Sequence, residues 1–173
     1  MSFILANERD EGPSEMVAAF AKYRRYVEEH RVRFPTGAYE LASSNWYFNF
    51  NDHRCPHDSW LESLTMSEVL SVTNAAERHC TIRVRLLGAY HDCFIELHYP
   101  NVYSYQLENR VSLRGNGDWR YDEFRLSDAG HLVHEIEWAG PPGKEARWVI
   151  EASDVQFRVL PIEGAHAPES RPE

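Results

Sequence analysis

The run His53-Arg54-Cys55-Pro56-His57-Asp58 sets two imidazoles, a thiol and a carboxylate within one short stretch. Those are the groups that hold zinc or move protons. Two further groups follow, His79-Cys80 and His91-Asp92-Cys93. A zinc site needs three or four such ligands converging tetrahedrally. The candidate set is Cys55, His57, His91 and Cys93, which meet only if the Pro56 and Asp92 loops lie at one end of a sheet. No spacing here matches a zinc finger or ribbon. A turn between Gly88 and Asp92 sets Cys80 and Cys93 roughly level on two arms. The cluster Cys55, His57 and Asp58 also serves a second chemistry, a small metal-dependent or cysteine/histidine enzyme. Against both stands a structural reading: His57 and Asp58 form a corner whose local hydrogen bonds fix the entry of the next strand. No cofactor is implied.

Other motifs carry less. His131-Leu132-Val133-His134-Glu135 has zinc-protease composition, but that motif needs a helix to align its histidines. Here the local period is two, so His131 and His134 point to opposite faces. His134 shares the parity of Ile136 and Trp138, which suits a hydrogen-bonded, semi-buried histidine. Glu135 and Glu137 share a strand face, as paired acids in a glycosidase do. The same alternation describes a solvated sheet face, together with Arg83, Arg85, Glu96 and His98. There is no Gly-x-Ser-x-Gly elbow, P-loop or dinucleotide fingerprint.

The elements that must position these groups follow from periodicity. Pro13 or Ser14 opens a helix, and Met16, Phe20, Tyr23 and Val27 recur on one face of it. Pro35 and Gly37 end it, giving one amphipathic helix over about residues 13–34. Its outer face carries Lys22, Arg24, Arg25, Arg31 and Arg33, a solvated face or an anionic contact site. After residue 38 the period becomes two. Trp46, Phe48 and Phe50 read as one face of a strand. Ile82 to Leu86, Ile95 to Tyr99, Tyr103 to Leu107, Leu132 to Trp138, Trp148 to Ile150 and Val155 to Val159 alternate likewise. Trp119 and Tyr121 disagree in parity with Phe124 and Leu126, which a bulge near Asp122-Glu123 reconciles. Ser59 to Leu70 fits either a helix with a capping box or a strand; the strand from about Ser59 to Met66 is favoured, with a loop or helical turn up to Arg78. Gly115-Asn116-Gly117, Asp128-Ala129-Gly130 and Gly140-Pro141-Pro142-Gly143 are turn chemistry.

These patterns predict a mainly β (α+β) fold: an antiparallel sandwich or half-barrel with one N-terminal helix. Residues 1–12 read as a flexible N-terminus, 13–160 as a single β-rich domain and 161–173 as a disordered tail. With 173 residues, the chain is long enough to bury a sizeable core. Its net charge of −9 repels phosphate backbones and disfavours nucleic acid. No apolar run is long enough to span a bilayer, and the N-terminus lacks a signal-peptide pattern. The expected location is cytoplasmic, with the three cysteines reduced.

The block His57-Asp58-Ser59-Trp60-Leu61-Glu62-Ser63-Leu64 resembles the His-Asp-x-x-x-x-x-Leu strand opening of small bacterial β-rich families, some of them grouped with immunity proteins of polymorphic toxin systems. An aromatic segment precedes the His-Asp pair in them. Strands like Thr81 to Leu87 and Phe94 to Tyr99 follow, then a step like Asn101-Val102. The resemblance spans residues 46–107 and supplies no catalytic residue. It implies a non-enzymatic binding protein of immunity type, and the acidic balance suits a basic protein toxin as partner. The rivals are the Cys55/His57/Asp58 enzyme and a β-barrel holding a small apolar ligand. A homodimer through an aromatic edge strand is compatible with the pattern but not demanded by it.

Overall fold

The computed structural model describes residues 2–6, 12–70, 77–109, 116–140 and 145–163. Among them, two helices precede seven strands: α1 (Pro13–Glu29), α2 (Thr36–Ser43), β1 (Trp60–Leu70), β2 (Arg78–Leu87), β3 (Cys93–Leu107), β4 (Trp119–Leu126), β5 (Leu132–Trp138), β6 (Ala146–Ala152) and β7 (Gln156–Pro161). The fold is mainly β and wholly antiparallel, as the alternation predicts. The strands form one open sheet rather than two packed layers, in the order β1-β2-β3-β6-β5-β4. The fifteen-residue β3 is its trunk. One side of β3 pairs with β2; the other pairs with β7 along Cys93–His98 and with β6 along Val102–Leu107. The two outer strands touch at one corner, where Trp60 bridges Asp118. No helix among the described residues is long and apolar enough to cross a membrane.

One face of the sheet is buried and mostly apolar, interrupted by Asp122 and His134. Ile82, Val84, Leu86, Ile95, Leu97, Phe124, Leu132, Ile136 and Ile150 are all fully buried. Ala38, Leu41 and Ala42 of α2 and Tyr47 of the following loop belong to the same core. Removing side chains of this size from water is the main stabilising term, about 1.5–3 kcal/mol for each. The helix α2 is placed by a distant carboxylate. Asp154 accepts from Gly37 N at 3.1 Å and from Ala38 N at 3.0 Å, capping a helix start whose own sequence supplies no side-chain cap. A Cβ on Gly37 would stand 2.0 Å from the Val155 carbonyl oxygen, so this contact requires glycine.

Several sequence expectations need correction. The helix expected over 13–34 stops at Glu29, and a second helix follows that span: Pro35 opens α2 instead of ending α1. Proline suits that position because its missing N–H has no helical acceptor to lose. Trp46, Phe48 and Phe50 are not a strand. The backbone there makes successive turns, with Asn49 N donating to Trp46 O, Asp52 N to Asn49 O and Cys55 N to Asp52 O. Asn49 and Asp52 also accept from nearby backbone N–H groups, an alternative to a ladder. β1 extends to Leu70 instead of stopping at Met66. The β4 irregularity lies between Trp119 and Tyr121, one step before Asp122-Glu123. Cys93 closes the β2–β3 hairpin, with Gly88 N donating to its carbonyl, while Cys80 pairs far away with Val102; the two are not level. Gly130 takes the left-handed conformation expected of its turn, at φ 81. Gly115, Pro141, Pro142 and Gly143 lie outside the described residues, as does the tail from 164.

Candidate functional site

The 46–58 loop does meet the β2–β3 turn, but the candidate ligands do not converge. Cys55 Sγ turns inward and donates to Tyr47 O at 2.9 Å. His57 stacks on Phe50 at 4.0 Å, and its Nδ1 faces Asp58 at 3.2 Å. Cys93 Sγ donates to His53 O at 3.3 Å. His91 occupies a left-handed turn position, φ 57, beside Trp60. Among the described residues, no three His, Cys, Asp or Glu side chains form a metal-holding group. The contact that does form is His53 with Asp92 at 2.5 Å, with the imidazole stacked on Tyr90. It pins the loop to the hairpin turn.

The thiols are not activated. Burial pushes the Cys55 thiol up to about 12, and burial together with Asp92 pushes Cys93 up to about 11. A nucleophilic sulfur needs the thiolate. At neutral pH both groups stay protonated. The corner instead fixes the sheet: Asp58 N donates to Trp119 O, and Trp119 N donates to Ser59 O. Asp58 adopts φ 62, the conformation that turns the chain into β1.

His57 leaves a pH signature. Burial is the largest cause of its lowered pKa; Arg120 adds to the effect and Asp58 opposes it. The unfolded chain takes up a proton near 6.5, whereas the folded chain resists it. The stabilisation is therefore fully present above that value and is lost as pH falls from it towards the folded pKa. His57→Phe, which keeps a ring on Phe50, is expected to shrink the loss of stability between about pH 7.5 and about pH 5. Urea-denaturation midpoints at the two pH values measure it; an unchanged difference refutes the assignment.

A second cluster is sealed in the core. Asp122 Oδ2 accepts from Tyr47 OH and His134 Nε2, both at 2.9 Å, and Oδ1 accepts from Trp119 Nε1 at 3.0 Å. Tyr99 OH donates to His134 Nδ1 at 2.6 Å. His134 is fully buried rather than semi-buried, and Asp122 is 3% exposed. Every polar atom named has a partner and each of these residues is at most 3% exposed, so this network organises the core.

The acidic strand face is also not solvated. Glu123, Glu135 and Glu137 are buried. Arg125 pairs with Glu123 and Glu135, and Arg147 reaches Glu135 at 2.7 Å and Glu137 at 3.3 Å. Glu123 Oε2 accepts from the backbone N–H groups of Phe3, Ile4 and Leu5 at 2.9, 2.8 and 3.2 Å. Where the sequence suggests a loose N-terminus, Ile4 and Leu5 are buried. No local pattern reveals this, because the carboxylate and the segment it holds lie 118–120 residues apart. Both carboxylates of the sequence-suggested pair, Glu135 and Glu137, are thus buried and engaged by arginine.

The sheet's two outer strands differ. Along β4, the hydroxyls of Tyr23 and Tyr26 accept from Phe124 N and Leu126 N, each at 2.9 Å. Along β1, nothing among the described residues pairs with the outer side beyond Trp60. That strand exposes Trp60, Met66, Val69 and Leu70 by 42–60%. Trp119, Trp138, Trp148, Tyr47, Tyr99 and Phe124 are buried in the core at 0–1% exposure. Of the basic helix face, Lys22, Arg25 and Arg33 line a surface cleft, while Arg31 lies over Tyr39. Set against protein-family models, curated proteins and solved structures, the chain has no match in any of the three.

Proposed function

We propose that this chain is a non-enzymatic protein-binding domain of the immunity, toxin-neutralising type, and that it seats its partner on the free edge of β1. The observation that carries the reading is the contrast between the two sheet edges. An exposed strand edge is a template for another strand, and proteins ordinarily blunt it. Here two tyrosine hydroxyls bond to the β4 edge, whereas β1 beyond Trp60 has no outer strand partner among the described residues and has neither lysine nor proline in it. An incoming strand would complete the ladder and bury Met66, Val69 and Leu70. Glu62 and Glu68 already face Arg85 and Arg78, at 3.5 and 2.9 Å, so the attraction is backbone and apolar in kind. The net charge of −9 adds long-range capture of a basic partner.

Co-expressed with a toxin encoded beside its gene, the chain is expected to protect the cell. The double substitution Met66→Lys/Val69→Lys should abolish protection and weaken the complex by at least about tenfold, while the melting temperature moves by less than about 4 °C. The absence of a neighbouring toxin, or full protection by the double variant, refutes the reading. The free chain is expected to sediment as a monomer. A dimer that dissociates on the same substitutions assigns the edge to self-pairing instead.

A further inference from the structure

Between α1 and the β4–β5 hairpin lies a cleft of about 680 Å³. That falls within the roughly 300–1,000 Å³ of small-molecule sites. Phe3, Tyr26 and Leu126 contribute apolar surface to it, with the Phe3 and Tyr26 rings 4.7 Å apart. These walls are held before any ligand arrives. Tyr26 OH is tied to Leu126 N, and Phe3 N to Glu123. Lys22, Arg25 and Arg33 supply the cations, together with Arg125. The Arg125 charge is already taken up by Glu123 and Glu135. The other three have no carboxylate within ion-pair distance among the described residues, although Glu29 and Asp128 share the cleft.

Three cations with no carboxylate at ion-pair distance among the described residues, set around an aromatic wall, are a local reversal on a protein of net charge −9. Solvation alone accounts for exposed cations. It does not account for their gathering over a preformed apolar cleft. We propose that this cleft binds a small organic anion, a carboxylate, sulfonate or phosphate head on an apolar or aromatic body. The head would pair with Arg25 and Arg33, whose planar forks match such oxyanions, and with Lys22. The body would lie against Tyr26 and Phe3. The site flanks the β4 edge and does not depend on the docking reading for β1.

The test uses anilinonaphthalene sulfonate as an anionic probe and N-phenylnaphthylamine as its neutral counterpart, each titrated into the full chain by fluorescence. One saturable site is expected for the sulfonate, with the neutral compound at least about tenfold weaker. Arg25→Glu/Arg33→Glu should weaken the sulfonate by at least about tenfold, and rising salt should weaken it progressively. Met66→Lys, on the other outer strand, should leave it unchanged. Both arginines are exposed, so circular dichroism should show an unaltered fold. Should the double variant fail to fold, Arg25→Gln and the salt series give the same readout. Equal affinity for the neutral compound, an affinity untouched by the arginine substitutions, or loss of binding in Met66→Lys overturns the proposal.

Discussion

Asp122→Ala is expected to cost on the order of 4 kcal/mol, more than the loss of Glu123. The substitution removes the acceptor for Tyr47 OH, Trp119 Nε1 and His134 Nε2 at once. All three donors are buried to 1% exposure or less. A buried donor left without a partner costs about 1–3 kcal/mol, and the surrounding rings leave little room for water. Against a domain stability of roughly 5–15 kcal/mol this threatens folding itself. Asp122→Asn keeps a carbonyl oxygen and is expected to lose about half as much. Asp128→Ala, in the exposed β4–β5 turn, should change stability by less than about 0.5 kcal/mol. Urea denaturation measures all three. A loss below about 1 kcal/mol for Asp122→Ala would show that the network contributes little. The double replacement of Asp122 and His134 by leucine should cost less than the sum of the singles, since each partner's removal orphans the other.

The second large effect is at Glu123. Glu123→Ala is expected to cost on the order of 3 kcal/mol and to release residues 3–5 from the sheet. Three backbone N–H groups lose their acceptor, and Arg125 loses one of its two carboxylates. Ile4 and Leu5, now at 0% and 2% exposure, would become free to leave. Hydrogen exchange at the Phe3, Ile4 and Leu5 amides is the direct readout: protection should fall while that of β2 and β3 persists. Unchanged protection contradicts the assignment. Glu123→Gln should cost less. Burial raises the Glu123 pKa above its ordinary 4.5, opposed by the Phe3 and Leu5 N–H groups and by Arg125. A raised carboxyl favours folding fully below its unfolded pKa, and the benefit is lost as pH rises through the folded one. The neutral amide keeps an acceptor for the N–H groups without the desolvated charge.

The strands were legible wherever one face is apolar and the other wet. The runs Ile82 to Leu86, Ile95 to Tyr99 and Trp148 to Ile150 alternate for that reason, and each pairs in register in the sheet. The same logic misread Trp46 to Phe50. Their alternation is real, but the rings serve different neighbours: Trp46 meets Phe157, Tyr47 meets Phe124, Phe48 meets Phe20, and Phe50 meets His57. A turning chain can supply those directions, and the asparagine and aspartate side chains stabilise the turns. Glu135 and Glu137 were misread for a related reason. Periodicity places them on the face opposite Ile136, but cannot say that the N-terminus and two arginines will cover that face.

His53, Cys55, His57 and Asp58 show where local reading ends. Their types and spacing raise metal and acid–base chemistry, and the loop does approach Asp92 and Cys93. Side-chain direction then decides the matter, and each group turns to a structural partner. By itself, the sequence determined the antiparallel class, most strand positions, the α1 core face and the left-handed turn at Gly130. Those depend on contacts or dihedrals within a few residues, which composition and period record. Tertiary structure alone decided that Asp122 is shared by Tyr47, Trp119 and His134, that Glu123 holds the N-terminus, that Asp154 caps α2, and that β4 meets two tyrosine hydroxyls while β1 beyond Trp60 has no outer strand partner among the described residues. Each of these joins groups distant in the chain, and their pairing is set by which buried donors and acceptors the folded sheet brings within reach.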